Sequence, residues 1–379
     1  MSNVGLKNVS KIYPGKKGAD ITAVHDFSLD LPEREFAVLT GPKGCGKSSV
    51  VRMIAGLEEI TNGEIFLGDR RVNDVSPGDR DIALVAGNHA LYPRMSVYDN
   101  IAFPLTLRKF SKTEIKKRVG AAAGIVELQE SLERRPESLS ADERQRVALA
   151  RALARQPKVF LFDEPFANLD PAAAGRGRAA IAALRLRSSS TIVYSTSDAA
   201  EALAFGARTV ILKDGVGQQD ADAQKIFDEP ANLFVAKFFG DPPINLVHGT
   251  LKHERDAVVF SEAGDGTIAI RWPASRFTGA KELTGSPVVL GFRPQDVEIA
   301  GAPEEANRSS NAFRALVDRV EPKGAETDLY LRTGAHELIC RSHRWAGQGE
   351  AGHRFQFEIE PGKTHLFDAV SGSRIMAES

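Results

Sequence analysis

Apolar and polar positions alternate along the chain in two textures, and the change between them falls near Asp241-Pro242-Pro243. Before it, short apolar runs bounded by turn residues lead into stretches with the i, i+3/i+4 apolar spacing of amphipathic helices. Residues 1–40 read as strands broken at "YPGKKGAD" and ending in "REFAVLT", the continuous apolar run of a buried strand. "GPKGCGKSS" follows, and then the helical "VVRMIAGLEEI". From about Lys112 to Leu153 the spacing predicts helix, most clearly in "KTEIKKRVGAAAGIVELQESL". "KVFLFDEP" and "STIVYST" are strand runs that each enter a helical segment, as in parallel α/β units. "DPAAAGRGRAAIAALRLRSSS" reads as a helix, although Gly175 and Gly177 each cost it up to ~1 kcal/mol. After Pro243 the runs are short and alternating: "AVVFS", "GTIAIRW", "SPVVLGF", "DLYLRT", "ELICRS" and "RFQFEI". They predict an all-β domain, a small barrel.

Composition narrows the class. The 379 residues allow two or three domains, and 42% hydrophobic with 26% charged residues suits a soluble globular protein. Lys and Arg (49) balance Asp and Glu (50), so no nucleic-acid footprint is expected. Cys45 and Cys340 alone suit a reducing cytosol and exclude a disulfide scaffold. "MSNVGLKNVSKIYPG" lacks the apolar core of a signal peptide, and no run approaches the ~18–20 apolar residues that cross a bilayer. Any service to a membrane is therefore expected from its cytosolic side. The histidines match no metal-ligand spacing.

The chemistry begins at Gly41-Pro42-Lys43-Gly44-Cys45-Gly46-Lys47-Ser48, which fits G-x-x-x-x-G-K-[ST] between a strand and a helix. The glycines let backbone N–H groups converge on phosphates, and the helix N-terminus adds a favourable dipole. Lys47 is expected to reach the β- and γ-phosphates of ATP, and Ser48 to ligate Mg²⁺. Asp163 closes the buried run "VFLF", where it can hold Mg²⁺ through water, and Glu164 is placed to polarise an attacking water.

The order of segments resembles the ATP-binding subunit of an ABC transporter, most closely the carbohydrate-importer branch that energises uptake of maltose, related sugars and glycerol phosphate. The resemblance covers nearly the whole chain. "IALVAGNHALYPRMSVYDNIAF" (82–103) resembles the glutamine-loop region, "LSADERQRVALARAL" (139–153) the signature, and "FANLD" the loop after the catalytic glutamate. "FDEPANLFVAKFFGDPPINLV" (227–247) resembles the bridge into the C-terminal domain, and "VVLGFRPQDVEI" and "HLFDAVSG" its OB-like regulatory barrel. The implied fold is an α/β P-loop nucleotide-binding domain over 1–237, with a helical subdomain about 88–153, and a C-terminal all-β OB-like regulatory domain over 238–379. The implied nucleotide contacts are Tyr13, stacking on adenine, the loop from Gly41 through Ser49, and Ser140 and Asp170. Family members work as dimers in which each ATP lies between one subunit's P-loop and the other's signature. The implied partners are two membrane permeases, through them a solute-binding protein, and a second copy or a paralogous ATPase, with the chain peripheral on the cytoplasmic face.

Four departures from the family pattern stand out. The γ-phosphate-sensing glutamine is Gly87, and the signature Leu-Ser-Gly-Gly-Gln is Leu139-Ser140-Ala141-Asp142-Glu143. The histidine that follows "TIVYST" is Ser197, and Lys43 stands where a small serine is usual. If Asp142 faces the nucleotide, two unit charges ~5 Å apart at an effective dielectric of ~20 repel by about 3 kcal/mol. The helix dipole returns only ~0.3–1 kcal/mol. Alternatively, Asp142 and Glu143 stabilise the first turn of their helix and point to solvent. Glycine supplies no amide, and serine is shorter than an imidazole. Lys43 either adds a cation beside the phosphates or is a solvated side chain. ATP binding is thus expected with weakened hydrolysis.

The leading expectation is the energy-coupling subunit of a carbohydrate-type importer, alternatively a nucleotide-binding regulatory subunit paired with an intact paralogue. A soluble ABC ATPase of repair or translation fits poorly with a single cassette and a transporter-type β domain. An oxyanion-binding barrel has no ligand constellation in the sequence. The stripe "ALYPRMSVYDNIAFPL" (90–105) is apolar enough for core, and in the family it also borders the cleft that accepts a membrane-domain helix.

Overall fold

The computed structural model describes residues 3–15, 18–87, 91–277, 284–300, 311–343, 345 and 351–375. Lys16 and Lys17 of the first predicted break, and Asn88-His89-Ala90 of the glutamine-loop region, lie outside the described residues. The chain divides into two compact units, Met1–Gln224 and Lys225–Ser379.

The first unit opens with β1 (Val4–Tyr13), β2 (Ile21–Leu31) and β3 (Phe36–Thr40), then α1 (Lys47–Ala55). Next come β4 (Asn62–Leu67), β5 (Arg70–Arg71), β6 (Ile82–Ala86), α2 (Val97–Leu107), α3 (Lys112–Ile125) and α4 (Ala141–Arg155). β7 (Val159–Asp163), α5 (Pro171–Arg187), β8 (Thr191–Thr196), α6 (Ala199–Phe205), β9 (Arg208–Lys213) and β10 (Val216–Asp222) complete it. A six-stranded sheet runs β10-β9-β3-β8-β7-β6, parallel except for the β9–β10 pair. Its central strands β3, β7 and β8 are buried along their whole length, which explains their unbroken apolar runs. An antiparallel sheet, β2-β1-β4-β5, shares a core with α1 through residues such as Leu6, Val24, Val50 and Ile54. The helices α2, α3 and α4 fill the stretch expected to be a helical subdomain.

Register places the chemistry. β7 and β8 pair so that Asp163 lies beside Ser195, and β3 pairs with β8 so that Thr40, the residue before Gly41, lies beside Thr196. The phosphate loop, Asp163 and the residue after Thr196 therefore emerge at the carboxyl ends of adjacent parallel strands, where open α/β sheets gather ligands.

The second unit is all-β apart from short helices. One antiparallel sheet holds β11 (Asn245–His253), β12 (Ala257–Glu262), β13 (Ala269–Pro273), β14 (Pro287–Phe292), β20 (Thr364–Asp368) and β21 (Arg374–Ile375). The other holds β15 (Val297–Ile299), β16 (Ala312–Lys323), β17 (Glu326–Arg332), β18 (Glu337–Ser342) and β19 (Arg354–Ile359). They enclose one core that includes Trp272, Phe292, Phe313 and Phe357. Residues before 238 group with this unit because Ala236 packs against Ile244, Val289 and Phe367. The buried Arg293 guanidinium donates to the Ala236, Phe239 and Phe227 carbonyls at 3.2, 2.7 and 2.8 Å. Burial lowers its pKa to about 10.

Candidate functional site

The loop Gly41–Gly46 needs glycine where backbone meets backbone. Gly41 has φ +146 and a Cβ there would lie 2.1 Å from the Leu212 carbonyl oxygen; Gly46 has φ +106 and would meet that of Ala23 at 2.3 Å. Helix α1 follows without a side-chain cap, whereas α2, α3, α4, α5 and α6 are capped by Ser96, Ser111, Ser140, Asp170 and Asp198. The first N–H groups of α1 are thus not taken by a capping side chain, as an anion site requires.

Around this open terminus one polar cluster converges. The buried Lys47 Nζ donates to the Gly41 and Pro42 carbonyls at 2.9 and 3.0 Å and stands 3.3 Å from Glu164 Oε1. The Ser48 hydroxyl donates to Asp163 Oδ1 at 2.7 Å, and Ser195 Oγ donates to the same oxygen at 3.1 Å. Ser48 and Asp163 present the hydroxyl and carboxylate oxygens that Mg²⁺ takes alongside phosphate oxygens and water. Arg52 Nε lies 3.8 Å from Asp163 Oδ2. Glu164 sits at φ +43, a left-handed conformation rare for a non-glycine residue, and its N–H is held by the Ser195 carbonyl at 3.1 Å. Cys45 is buried beside Lys47, and burial raises its thiol pKa. Lys43 is exposed in the loop.

Tyr13 reaches the far side of α1. Its hydroxyl lies 3.0 Å from Ser49 Oγ and donates to the Glu58 carboxylate, and the Lys11 ammonium stands 4.8 Å from its ring centroid. Burial and Glu58 raise the phenol pKa.

The signature helix is arranged differently. Ser140 Oγ accepts the Glu143 N–H at 3.1 Å while the Glu143 carboxylate accepts the Ser140 N–H at 2.7 Å, a reciprocal capping box. Arg134 holds Glu143 at 2.8 Å, and Asp142 is held by Arg146 at 3.0 Å and Arg176 at 3.2 Å. Asp142 is therefore neither a lone charge facing outward nor a solvated one. Two guanidiniums compensate it, and the 3 kcal/mol repulsion expected of a bare carboxylate does not apply. Asp170 N-caps α5 by accepting the Ala173 N–H at 2.9 Å. Gly87 ends the strand run of β6, and a Cβ there would lie 2.9 Å from the Glu164 carbonyl oxygen, too close without a shift. Ser197 is half-buried at the start of the turn into α6.

Sequence reading missed Ser195, Arg52 and the three arginines at the signature. Ser195 had no local signal, since it meets Asp163 only through the register of β7 with β8. Arg176 had none, being 34 positions from Asp142.

A family model described as "ABC transporter" matches residues 24–167, and one described as "TOBE domain" matches residues 290–367. The chain is 39% identical over 375 residues to the oligosaccharides import ATP-binding protein MsmX of Bacillus subtilis, covering 99% of this chain and 100% of that one. It is 39% identical over 381 residues to the trehalose/maltose import ATP-binding protein MalK of Thermococcus litoralis, again covering 99% and 100%. Among solved structures it is similar to the ADP- and phosphate-bound dimer of the cassette MJ0796, with TM-score 0.53 and 30% identity over 58% of this chain and 98% of that one. With full-length relatives at this identity, the chain belongs to the ATP-binding proteins of the ABC transporter family.

Proposed function

We propose that this chain is the energy-coupling subunit of an importer for carbohydrate-type solutes, binding MgATP firmly and hydrolysing it slowly. The observation that carries this reading is the contrast between the two helix termini: α1 uncapped amid Lys47, Ser48, Asp163 and Glu164, and α4 closed on itself by Ser140 and Glu143. Tyr13 stacks on the adenine ring. Lys47 leaves the loop carbonyls to neutralise phosphate oxygens, and Ser48 and Asp163 would hold Mg²⁺, which would supply charge neutralisation at the phosphates. Glu164 orients the attacking water and accepts its proton. Hydrolysis is slowed because Gly87 offers no amide, Ser197 no imidazole, and the Ser140 and Glu143 N–H groups are committed to the cap of α4. Mutual hydrogen bonding of Ser140 and Glu143 leaves the partner's phosphate with fewer donors, and each lost donor typically costs ~10²–10³ in rate.

The names of the relatives MsmX and MalK support sugar import and hence two permease partners, a solute-binding protein, and a homodimer or a heterodimer with a paralogue. The same names support peripheral association on the cytoplasmic side of the membrane; no described helix is long and apolar enough to cross a membrane. Residues 87–105 line the docking cleft for a permease helix, a reading supported by a hollow of about 210 Å³ lined by Leu84, Tyr92, Phe103, Leu107 and Arg151. Tyr92 and Leu107 are exposed there, and the fully buried Asn100 pins the loop before α2 through the Tyr92, Met95 and Ser96 carbonyls. The regulatory reading, with hydrolysis supplied by an intact paralogue, draws on the tight approach of Gly87 to Glu164. Co-purification with membranes containing the neighbouring permeases, and its loss when they are deleted, is expected. A chain that stays soluble and unpartnered in their presence would sink the importer reading.

A further inference from the structure

A cavity of about 800 Å³ in the first unit opens at the opposite end of the parallel strands from the phosphate loop. Arg34 precedes β3, Lys158 precedes β7 and Ser188–Ser190 precede β8, whereas Gly41 and Asp163 lie at the other ends of β3 and β7. Five residues of strand at ~3.3 Å each separate the two by about 16 Å. The cavity is not part of the nucleotide site.

Its walls combine two chemistries. The floor is apolar, formed by Ala122, Leu153, Phe160 and Leu184. The rim is basic: five basic against two acidic side chains line the cavity, in a chain of net charge −1. Arg118 is committed to Glu114 at 2.6 Å. Among the described residues, Arg34, Lys117, Lys158 and Arg187 make no ion pair within 4 Å, although Lys117 still acts on Glu114 at longer range. Arg34 is carried to the rim by the Pro32–Glu35 turn at φ +64. The Ser188 and Ser190 hydroxyls are spent on each other at 2.8 Å and on the Pro157 carbonyl at 2.5 Å, leaving Ser189 as a hydroxyl with no hydrogen bond among the described residues. Uncompensated cations around a recess raise the local concentration of anions. A recess of this volume with an apolar floor and a few polar groups is the form of a small-molecule site.

We propose that this cavity binds a small organic phosphate, its dianionic group met by Lys158, Arg187 and Arg34 and its apolar body lying on Phe160 and Leu184. Lysine supplies point charge and arginine a planar fork, and both suit phosphate oxygens. The recess favours a soluble ligand over a headgroup tethered in a bilayer.

Isothermal titration calorimetry on the full chain carrying Lys47→Ala, which weakens the phosphate loop, tests this with phenyl phosphate and inorganic phosphate as probes. Phenyl phosphate is expected to bind roughly tenfold more tightly than inorganic phosphate, with an affinity that falls as salt is added. Adding Lys158→Glu with Arg187→Glu, both exposed side chains, should weaken it at least about tenfold without moving the melting temperature. Adding Lys43→Glu at the phosphate loop should leave it unchanged. Equal affinity in the paired variant and its parent, or no phenyl phosphate binding in the parent, overturns the proposal. Sedimentation with phosphatidylglycerol vesicles is expected to be indifferent to the same pair; loss of sedimentation in the pair would overturn the assignment to a soluble ligand.

Discussion

Helices α1 and α4 both begin where phosphate-handling segments are expected, and their first turns are built in opposite ways. At α1 a glycine in the left-handed region starts the helix with no capping side chain, and the nearest cation, Lys47, rests on carbonyls of its own loop. At α4 a serine and a glutamate satisfy each other's backbone N–H groups, and three arginines absorb the two carboxylates. An open terminus stores unsatisfied donors for a ligand, while a closed one places that hydrogen bonding in the helix itself. On the proposed reading, nucleotide binding belongs to the first terminus and slow turnover to the second.

The largest expected effect is on the open terminus. Lys47→Ala should weaken MgATP binding by ~2–4 kcal/mol, roughly 30- to 1000-fold, because a charge-assisted contact is lost. Equal affinity by fluorescence titration would remove the basis of the phosphate-loop argument. Next comes repair of the closed one. Gly87→Gln with Ser197→His, Ala141→Gly, Asp142→Gly and Glu143→Gln should raise turnover on the order of 10²-fold, well beyond any single reversion. Gly87→Gln alone should give little rate and cost about 1–3 kcal/mol in chemical denaturation, since its Cβ must displace the Glu164 carbonyl. A lone Gly87→Gln that restores full rate would place the whole defect at that residue.

Smaller effects probe the arginine shell. Asp142→Ala and Arg176→Ala, with their double variant, should show a coupling of ~0.5–1 kcal/mol, discounted for the half-exposed Arg176. Zero coupling would mean the pair contributes nothing to the closed terminus. Smallest is the acid limb. The Ser140 N–H, and then Arg134, hold the Glu143 carboxyl below its ordinary 4.5. A lowered folded-state pKa stabilises above 4.5 and is lost as pH falls through the folded value. Glu143→Gln should therefore flatten the denaturation profile below about pH 4.5 by a few tenths of a kcal/mol after solvent screening.

What could be read from sequence was local. The glycine spacing, Lys47 and the buried run ending at Asp163 lie within short windows, and strand and helix periods there agree with the folded elements. β16 was missed because its outward positions mix Arg314 and Asp318 with the apolar Ala312 and Leu316, blurring the alternation of buried Phe313, Ala315 and Val317. β11 was hidden in the same way, its inward Val247 and Leu251 separated by His248, Gly249 and Thr250. The orientation of Asp142 was legible only in part: Arg146 stands at i,i+4 in the same helix, whereas Arg176 comes from another helix that no spacing within the signature encodes. Arg52 and Ser195 join the site only through sheet register and helix packing.

ATP turnover by the purified wild-type chain as a homodimer, in saturating MgATP with binding verified on the same sample, tests the central claim most directly. An open α1 with a closed α4 predicts tight binding and a rate of about 0.1 s⁻¹ or less, at least ~10²-fold below an ordinary enzyme. Turnover near ~10 s⁻¹ would show that Gly87, Ser197 and the capped signature do not limit hydrolysis, and would contradict the account.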